Sequence, residues 1–410
     1  YMFVDVLSPV KILVEKELGW DSTVFGLYGG SEFFLNVFVG FLILAGIILD
    51  KMGVRFTALL SGSLMVIGAG LKVYALSATF RNGGIGYETI SGLTGGIKNV
   101  FGWELPPTAM LASLGFMIFG CGTEMAGVTV SRAIVKWFKG KEMALAMGSE
   151  MAFARLGVAT CMIFSPFFAK FGGSVDVSRS VAFGVVLICI AVMMFVAYFF
   201  MDKKLDSQTG EAEEQEEPFK ISDLGQILSS MGFWLVSLLC VLYYSAIFPF
   251  QKYAVNMLQC NLTFTPVDKD SFWASTEVTI IQYGIMLVVA VTAFMFNFMK
   301  KKNVKLSVLL ISILSLIGYC YMGYMRQSAE SIFAVFPLLA VGITPILGSY
   351  VDHKGKAATM LILGALLLIS CHLTFAFVLP AFKGNAIGGV VVAYLTILVL
   401  GASFSLVPAS

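Results

Sequence analysis

The sequence predicts an all-α, polytopic membrane protein, and three observations carry that prediction. Hydrophobic residues make up 58% of the 410-residue chain, charged residues 13%, and mean hydropathy is +0.88. Soluble domains carry about a quarter charged residues, so half of the usual solvating surface is missing. The apolar residues gather in runs of ~20 or more, the length an α-helix needs to cross ~30 Å of hydrocarbon. Bases crowd into the short polar breaks between alternate runs, as the positive-inside rule expects of cytoplasmic loops. A net charge of +2 leaves no electrostatic footprint for nucleic acid.

In chain order, residues 1–18 read as the outer part of a first helix. The chain starts and stops inside apolar segments, with no leader pattern at its start. Apolar runs follow at 22–49, 55–77, 107–137, 141–170, 179–201, 231–258, 271–299, 304–325, 330–351, 356–380 and 384–408. The longest polar interruption, Asp202 to Glu217, reads as a solvated tether that buries nothing. After it, Ile221 to Leu228 has helical spacing suited to the membrane surface. Seven cysteines stand singly, mostly in apolar runs, as small buried hydrophobes without metal or redox spacing. There is no phosphate-binding loop, nucleophile elbow or zinc motif, so the chain reads as no enzyme, with no cofactor and no metal.

The most informative polar break is GIILDKMGVR, with Gly46, Asp50, Lys51, Gly53 and Arg55 between two apolar runs. A fainter copy follows at Gly348, Asp352 and Gly355, with the same four- and three-residue spacings. Two copies at matching depth in two parts of one chain mark an internal repeat, as in secondary transporters. Glycines let helices approach and turn tightly, the acid suits the positive end of a neighbouring helix, and the bases anchor the turn at an anionic leaflet. Such a cluster suits a cytoplasmic gate.

The pattern G-x-x-x-D-(R/K)-x-G-x-(R/K) resembles the loop 2–3 signature of the major facilitator superfamily. In the second copy His353 and Ala357 stand where that signature has bases. The resemblance implies a fold of two pseudo-symmetric six-helix halves. Its register puts a two-helix insertion between core helices 7 and 8, with truncation in core helix 1 and after core helix 10. The implied organisation is an N-terminal half over 1–201, a cytoplasmic acidic linker and surface helix over 202–230, and a C-terminal half over 231–410. The inserted pair lies at about 271–325.

Closer motifs lie at Gly120–Glu124, Trp137–Glu142, Met151–Gly157, Tyr243–Phe250 and Asp352–Lys356. They are similar to the lysosomal dipeptide-transporter branch, the major facilitator superfamily domain-containing protein 1 family. Phe116 stands where the superfamily commonly has an Arg, which counts against proton antiport.

Intramembrane charges are costly and are functional candidates by default. Glu124 and Arg155 lie near the middle of adjacent runs. They suit a zwitterion, the acid taking an ammonium and the Arg a carboxylate. A locked salt bridge between them is the alternative. Tyr243, Tyr244 and Lys252 are further candidates for substrate contact, and Asp5, Glu32 and His372 for the cavity. Arg132 and Glu150 read as a structural or gating pair, and Lys72 as a snorkelling base.

The expected function is secondary transport of a small zwitterionic solute by alternating access, with dipeptides implied by the resemblance. An organic anion or single amino acid, or a transport-dead receptor, are the alternatives. The expected partners are that solute and the lipid bilayer. Proton coupling stays open, as does an accessory subunit in a eukaryotic host. The setting expected is a bacterial plasma membrane, or a lysosomal membrane in a eukaryote.

Overall fold

The computed structural model describes residues 1–138, 143–209, 225, 227–265, 267–268, 270–299, 301–354 and 357–406. All regular structure among the described residues is helical. Ten helices among them are long and apolar enough to cross a membrane.

Several predicted boundaries move. Residues 2–7 form turns, followed by a short 3-10 segment at Ser8–Val10, and the first α-helix, α1 (Lys11–Leu18), begins only after Pro9. The run at 22–49 is not one helix. It breaks into α2 (Ser22–Ser31), α3 (Phe34–Phe38) and the start of α4 (Phe41–Leu76), with Gly40 at φ 70° between the last two. Asp21 caps α2 by accepting from the Val24 N–H at 2.7 Å. Across the Asp50–Arg55 break α4 is two helical stretches that meet at a kink at Gly53. That residue holds φ 77° and ψ 166°, a conformation essentially reserved for glycine. The predicted break between two apolar runs is therefore made at that one residue.

Short helices α5 (Ala78–Arg81) and α6 (Tyr87–Phe101) lead to α7 (Pro107–Phe138). Next come α8 (Met143–Ala169), α9 (Val177–Thr209) and α10 (Met231–Asn261). Helix α9 continues eight residues past the predicted end of its run at 201. The polar run therefore begins inside a helix, and its first acid is buried, which corrects the reading of Asp202 as solvated tether. Residues 210–224 and 226 lie outside the described residues, and with them most of the predicted surface helix.

The segments expected as an inserted pair form α11 (Thr276–Met295) and α12 (Lys302–Met325). Beyond it the chain forms α13 (Ala329–Phe333), α14 (Val335–Lys354), α15 (Ala357–Leu373) and α16 (Ala386–Leu406), with a π-helical stretch at Thr374–Val378.

Packing groups the chain into two compact units. The N-unit comprises Val10–Lys139 and Phe167–Ala246; the C-unit comprises Tyr1–Pro9, Gly140–Pro166 and Ile247–Ser410. These packing units divide the chain differently from the halves expected at 1–201 and 231–410. Helix α8 is assigned to the C-unit up to Pro166, and α10 is divided three residues before Pro249.

In the N-unit, α4 packs between α7 and α9, while α2 and α3 lie on α7. Gly120 permits that last contact, because a Cβ there would lie 2.0 Å from the Glu32 carbonyl oxygen. At one end of the unit Glu17 accepts from the first N–H of α9 at 3.0 Å and pairs with Arg81 at 3.1 Å.

In the C-unit, α11 packs on α12 and α14, and α16 on α14 and α15. Arg326, just past α12, donates to Gln282 at 2.6 Å and to Thr279 at 2.7 Å, tying α11 and α12 together at that end.

Candidate functional site

The signature loop of the N-unit is clamped by charges from three helices. Asp50 on α4 lies 3.9 Å from the Arg132 guanidinium on α7, and both side chains are over a third exposed. Five residues on, Arg55 reaches the end of α9, lying 3.7 Å from Asp202 and 3.0 Å from Asp206. Asp202 is 0% exposed and accepts from Lys136 at 2.8 Å, Trp137 Nε1 at 2.9 Å and the Tyr198 hydroxyl at 3.2 Å. Lys136 also pairs with Asp206 at 2.9 Å. The buried carboxylate thus has two cations and two neutral donors, which is what makes a buried charge tolerable. Among the described residues, Gly46 and Lys51 take no part in this network; Lys51 is exposed.

Of the second copy, Gly348 and Asp352 fall within α14. Gly355 lies outside the described residues, as does the side-chain placement of Asp352.

Higher in the N-unit, Glu124 is half-buried on α7, one turn beyond Gly120. It has no ion-pair partner among the described residues of its unit. Glu32 is buried at the break between α2 and α3, its carbonyl pressed on Gly120.

Lys72 does not snorkel. It is 0% exposed, its ammonium 4.3 Å from the Phe116 ring centre and 5.1 Å from that of Tyr28. Those two rings stack at 5.0 Å. The cation absent from position 116 thus arrives over that position from the neighbouring helix α4, stabilised by ring quadrupoles. Tyr243 and Tyr244 meet edge to face at 5.8 Å, the first buried and the second half-buried.

The C-unit gathers candidates from distant parts of the chain. The turns at residues 1–9 lie against α8 at Gly157 and against α10 at Lys252. Asp5, buried, pairs with Lys252 at 3.0 Å and accepts a short hydrogen bond from Gln251; Lys252 also donates to the Val4 carbonyl at 2.8 Å.

Arg155 on α8 is 7% exposed, its guanidinium carbon 4.0 Å from the Phe404 ring centre. From Phe404 a chain of rings runs through Phe336 at 5.3 Å, Phe333 at 5.5 Å and Phe250 at 6.1 Å to His372 at 5.0 Å. The His372 Nδ1 lies 3.0 Å from the Leu368 carbonyl. Glu150, also in this unit, is half-buried with Oε2 lacking a hydrogen-bond partner among the described residues.

The structure therefore joins Asp5 to Lys252, and Asp50 to Arg132. It links Arg155 to His372 through aromatic contacts, and it assigns Glu124 and Arg155 to different units. Sequence reasoning missed Asp202, Lys136 and Tyr198 as a network and missed Gln251 altogether. The available signal was Asp202 and Asp206 at helical i, i+4 spacing directly after an apolar run.

The comparisons with known proteins agree with this architecture. The lysosomal dipeptide transporter MFSD1 of Bos taurus is 22% identical over 388 residues, covering 92% of this chain and 63% of its own length. Its namesake in Homo sapiens is 25% identical over 259 residues, 61% of this chain and 49% of its own. That of Gallus gallus is 31% identical over 150 residues, 34% of this chain and 33% of its own. The chain thus spans between a third and two thirds of the length of these relatives. The Major Facilitator Superfamily profile matches residues 1–410. On that match, the chain is a multi-pass membrane protein of the Major Facilitator Superfamily, a family of transporters rather than enzymes.

Proposed function

We propose that the chain moves a small zwitterionic solute, a dipeptide, across a lysosomal membrane by alternating access, without ATP. Glu124 is the residue of the N-unit suited to the substrate ammonium, and Arg155 the residue of the C-unit suited to a carboxylate. The observation that carries the reading is Glu124, a half-buried acid midway along a membrane helix with no ion-pair partner among the described residues of its unit. A carboxylate there costs a few kcal/mol, and a ligand ammonium offsets that cost only while it is bound.

Arg155 supports the complementary role. Its guanidinium is oriented by the Phe404 face, and a planar fork held by stacking suits a carboxylate. Charged groups that read only a terminus leave a peptide's side chains unread, which suits dipeptides of varied sequence. The names of the MFSD1 relatives supply both the solute class and the compartment, and none of those relatives supports a bacterial membrane.

Uptake of a labelled dipeptide into proteoliposomes tests the proposal. Wild type takes up the free dipeptide and rejects its N-acetylated form, and Glu124→Gln narrows that discrimination by about tenfold or more, as for loss of one charge-assisted contact. Arg155→Gln does the same for a C-terminally amidated dipeptide. Uptake of an organic anion that Glu124→Gln leaves untouched would overturn the zwitterion reading.

A further inference from the structure

Within the C-unit an open apolar cleft lies between α11, α12 and α14. Val289 of α11 and Phe296, the residue that follows that helix, form its floor, α12 one wall with Leu309, Ser312 and Leu316, and α14 the other with Ile346. Ser312 is the single polar side chain lining it. Gly342 opens this geometry, since a Cβ there would sit 2.8 Å from that of Ala293; α14 closes on α11 at that point while α12 stands off.

Lys305, Leu309, Ser312 and Leu316 follow one another at helical spacing on one stripe of α12. The Lys305 ammonium lies 4.4 Å from the ring centre of Phe296, which itself lines the cleft. A cation therefore stands at one end of an apolar slot. Lys301 and Lys302, both exposed, adjoin it at the start of the helix. Eleven residues from Lys305 to Leu316 span ~16 Å at ~1.5 Å per residue. That is about half of a ~30 Å hydrocarbon core, the depth of one leaflet.

We propose that this cleft is a binding site for one anionic phospholipid, its phosphate on Lys305 and one acyl chain in the slot between α12 and α14. The occupant follows from three features together. An apolar slot of one-leaflet depth fits an acyl chain and offers nothing to a polar solute. Basic residues at its end fit a phosphate. The loop holding them belongs to the set that the distribution of bases assigns to the cytoplasmic side, where anionic lipid concentrates. The site would give the inserted pair a role of its own, independent of the transported solute.

The test uses the full chain purified from membranes of phosphatidylcholine mixed with phosphatidylserine, with retained lipid read by native mass spectrometry. Wild type retains phosphatidylserine in preference. Lys305→Gln lowers that preference about fivefold, the equivalent of ~1 kcal/mol for one basic residue at an anionic surface. Ser312→Phe fills the slot and removes the retained lipid, whereas Ile311→Phe, on the exposed face of the same helix, leaves it in place. Leu316→Phe stands in for Ser312→Phe if that variant does not fold. Equal retention of phosphatidylcholine or a sterol by wild type overturns the proposal, as does unchanged phosphatidylserine retention in Lys305→Gln or in a folded slot-filling variant.

Discussion

Asp50 and Asp202 lie at the same end of the N-unit, and each faces an arginine, yet solvent treats them differently. Asp50 belongs to the recognisable motif; it is 38% exposed and 3.9 Å from its partner. Asp202 belongs to no motif; it is wholly buried and has four partners within 3.7 Å. Exposed pairs contribute about 0–1 kcal/mol because water competes for both ions. A buried ion stripped of a partner costs several times more. The residue that marks a motif need not be the one that holds its loop in place. Under the proposed alternating access, the weakly held Asp50 is the acid suited to release, and the buried Asp202 the one suited to stay fixed.

The comparison is broken most severely by Asp202→Ala, which leaves Lys136 and Arg55 without their shared buried carboxylate. The expected loss is about 3–5 kcal/mol, read as a large fall in the thermal unfolding midpoint of the purified protein. Trp137→Phe comes next, since it keeps the ring and deletes one donor to the buried acid, at about 1–3 kcal/mol. Asp50→Asn is the smallest in stability, at most about 1 kcal/mol, and should change transport rate more than unfolding temperature. Equal destabilisation by Asp50→Asn and Asp202→Ala would show that burial does not separate the two.

Lys72 and Arg155 extend the contrast to the two units. Both are buried cations set on aromatic faces, Lys72 over Phe116 and Arg155 over Phe404. In the sequence Arg155 stood out because it interrupts the middle of an apolar run. Lys72 lies nearer the end of its run, where a long base usually reaches water, so burial was not legible. Whether such a base snorkels depends on what packs beside it, and Tyr28 and Phe116 come from other helices.

Glu124 and Asp5 were legible as costly charges for the same reason as Arg155. The partnership of Asp5 with Lys252 was not, because 246 residues separate Asp5 from Gln251 beside it. The predicted helix over 22–49 failed for a local reason. Hydropathy counts apolar residues and does not see that Gly40 turns left-handed or that Glu32 stops α2.

By itself the sequence determined the membrane class, most of the apolar spans, the family and the positions of the improbable charges. These follow from composition, run length and motif spacing, all of which are local properties of the chain. Only the tertiary structure decided which charges are buried, which are shared and which end on an aromatic face. It also decided that α11, α12 and α14 leave an apolar slot with a lysine at its end. Each of these depends on residues distant in sequence arriving at one place, and in a bilayer that arrival sets whether a charge is matched, exposed or left for a ligand.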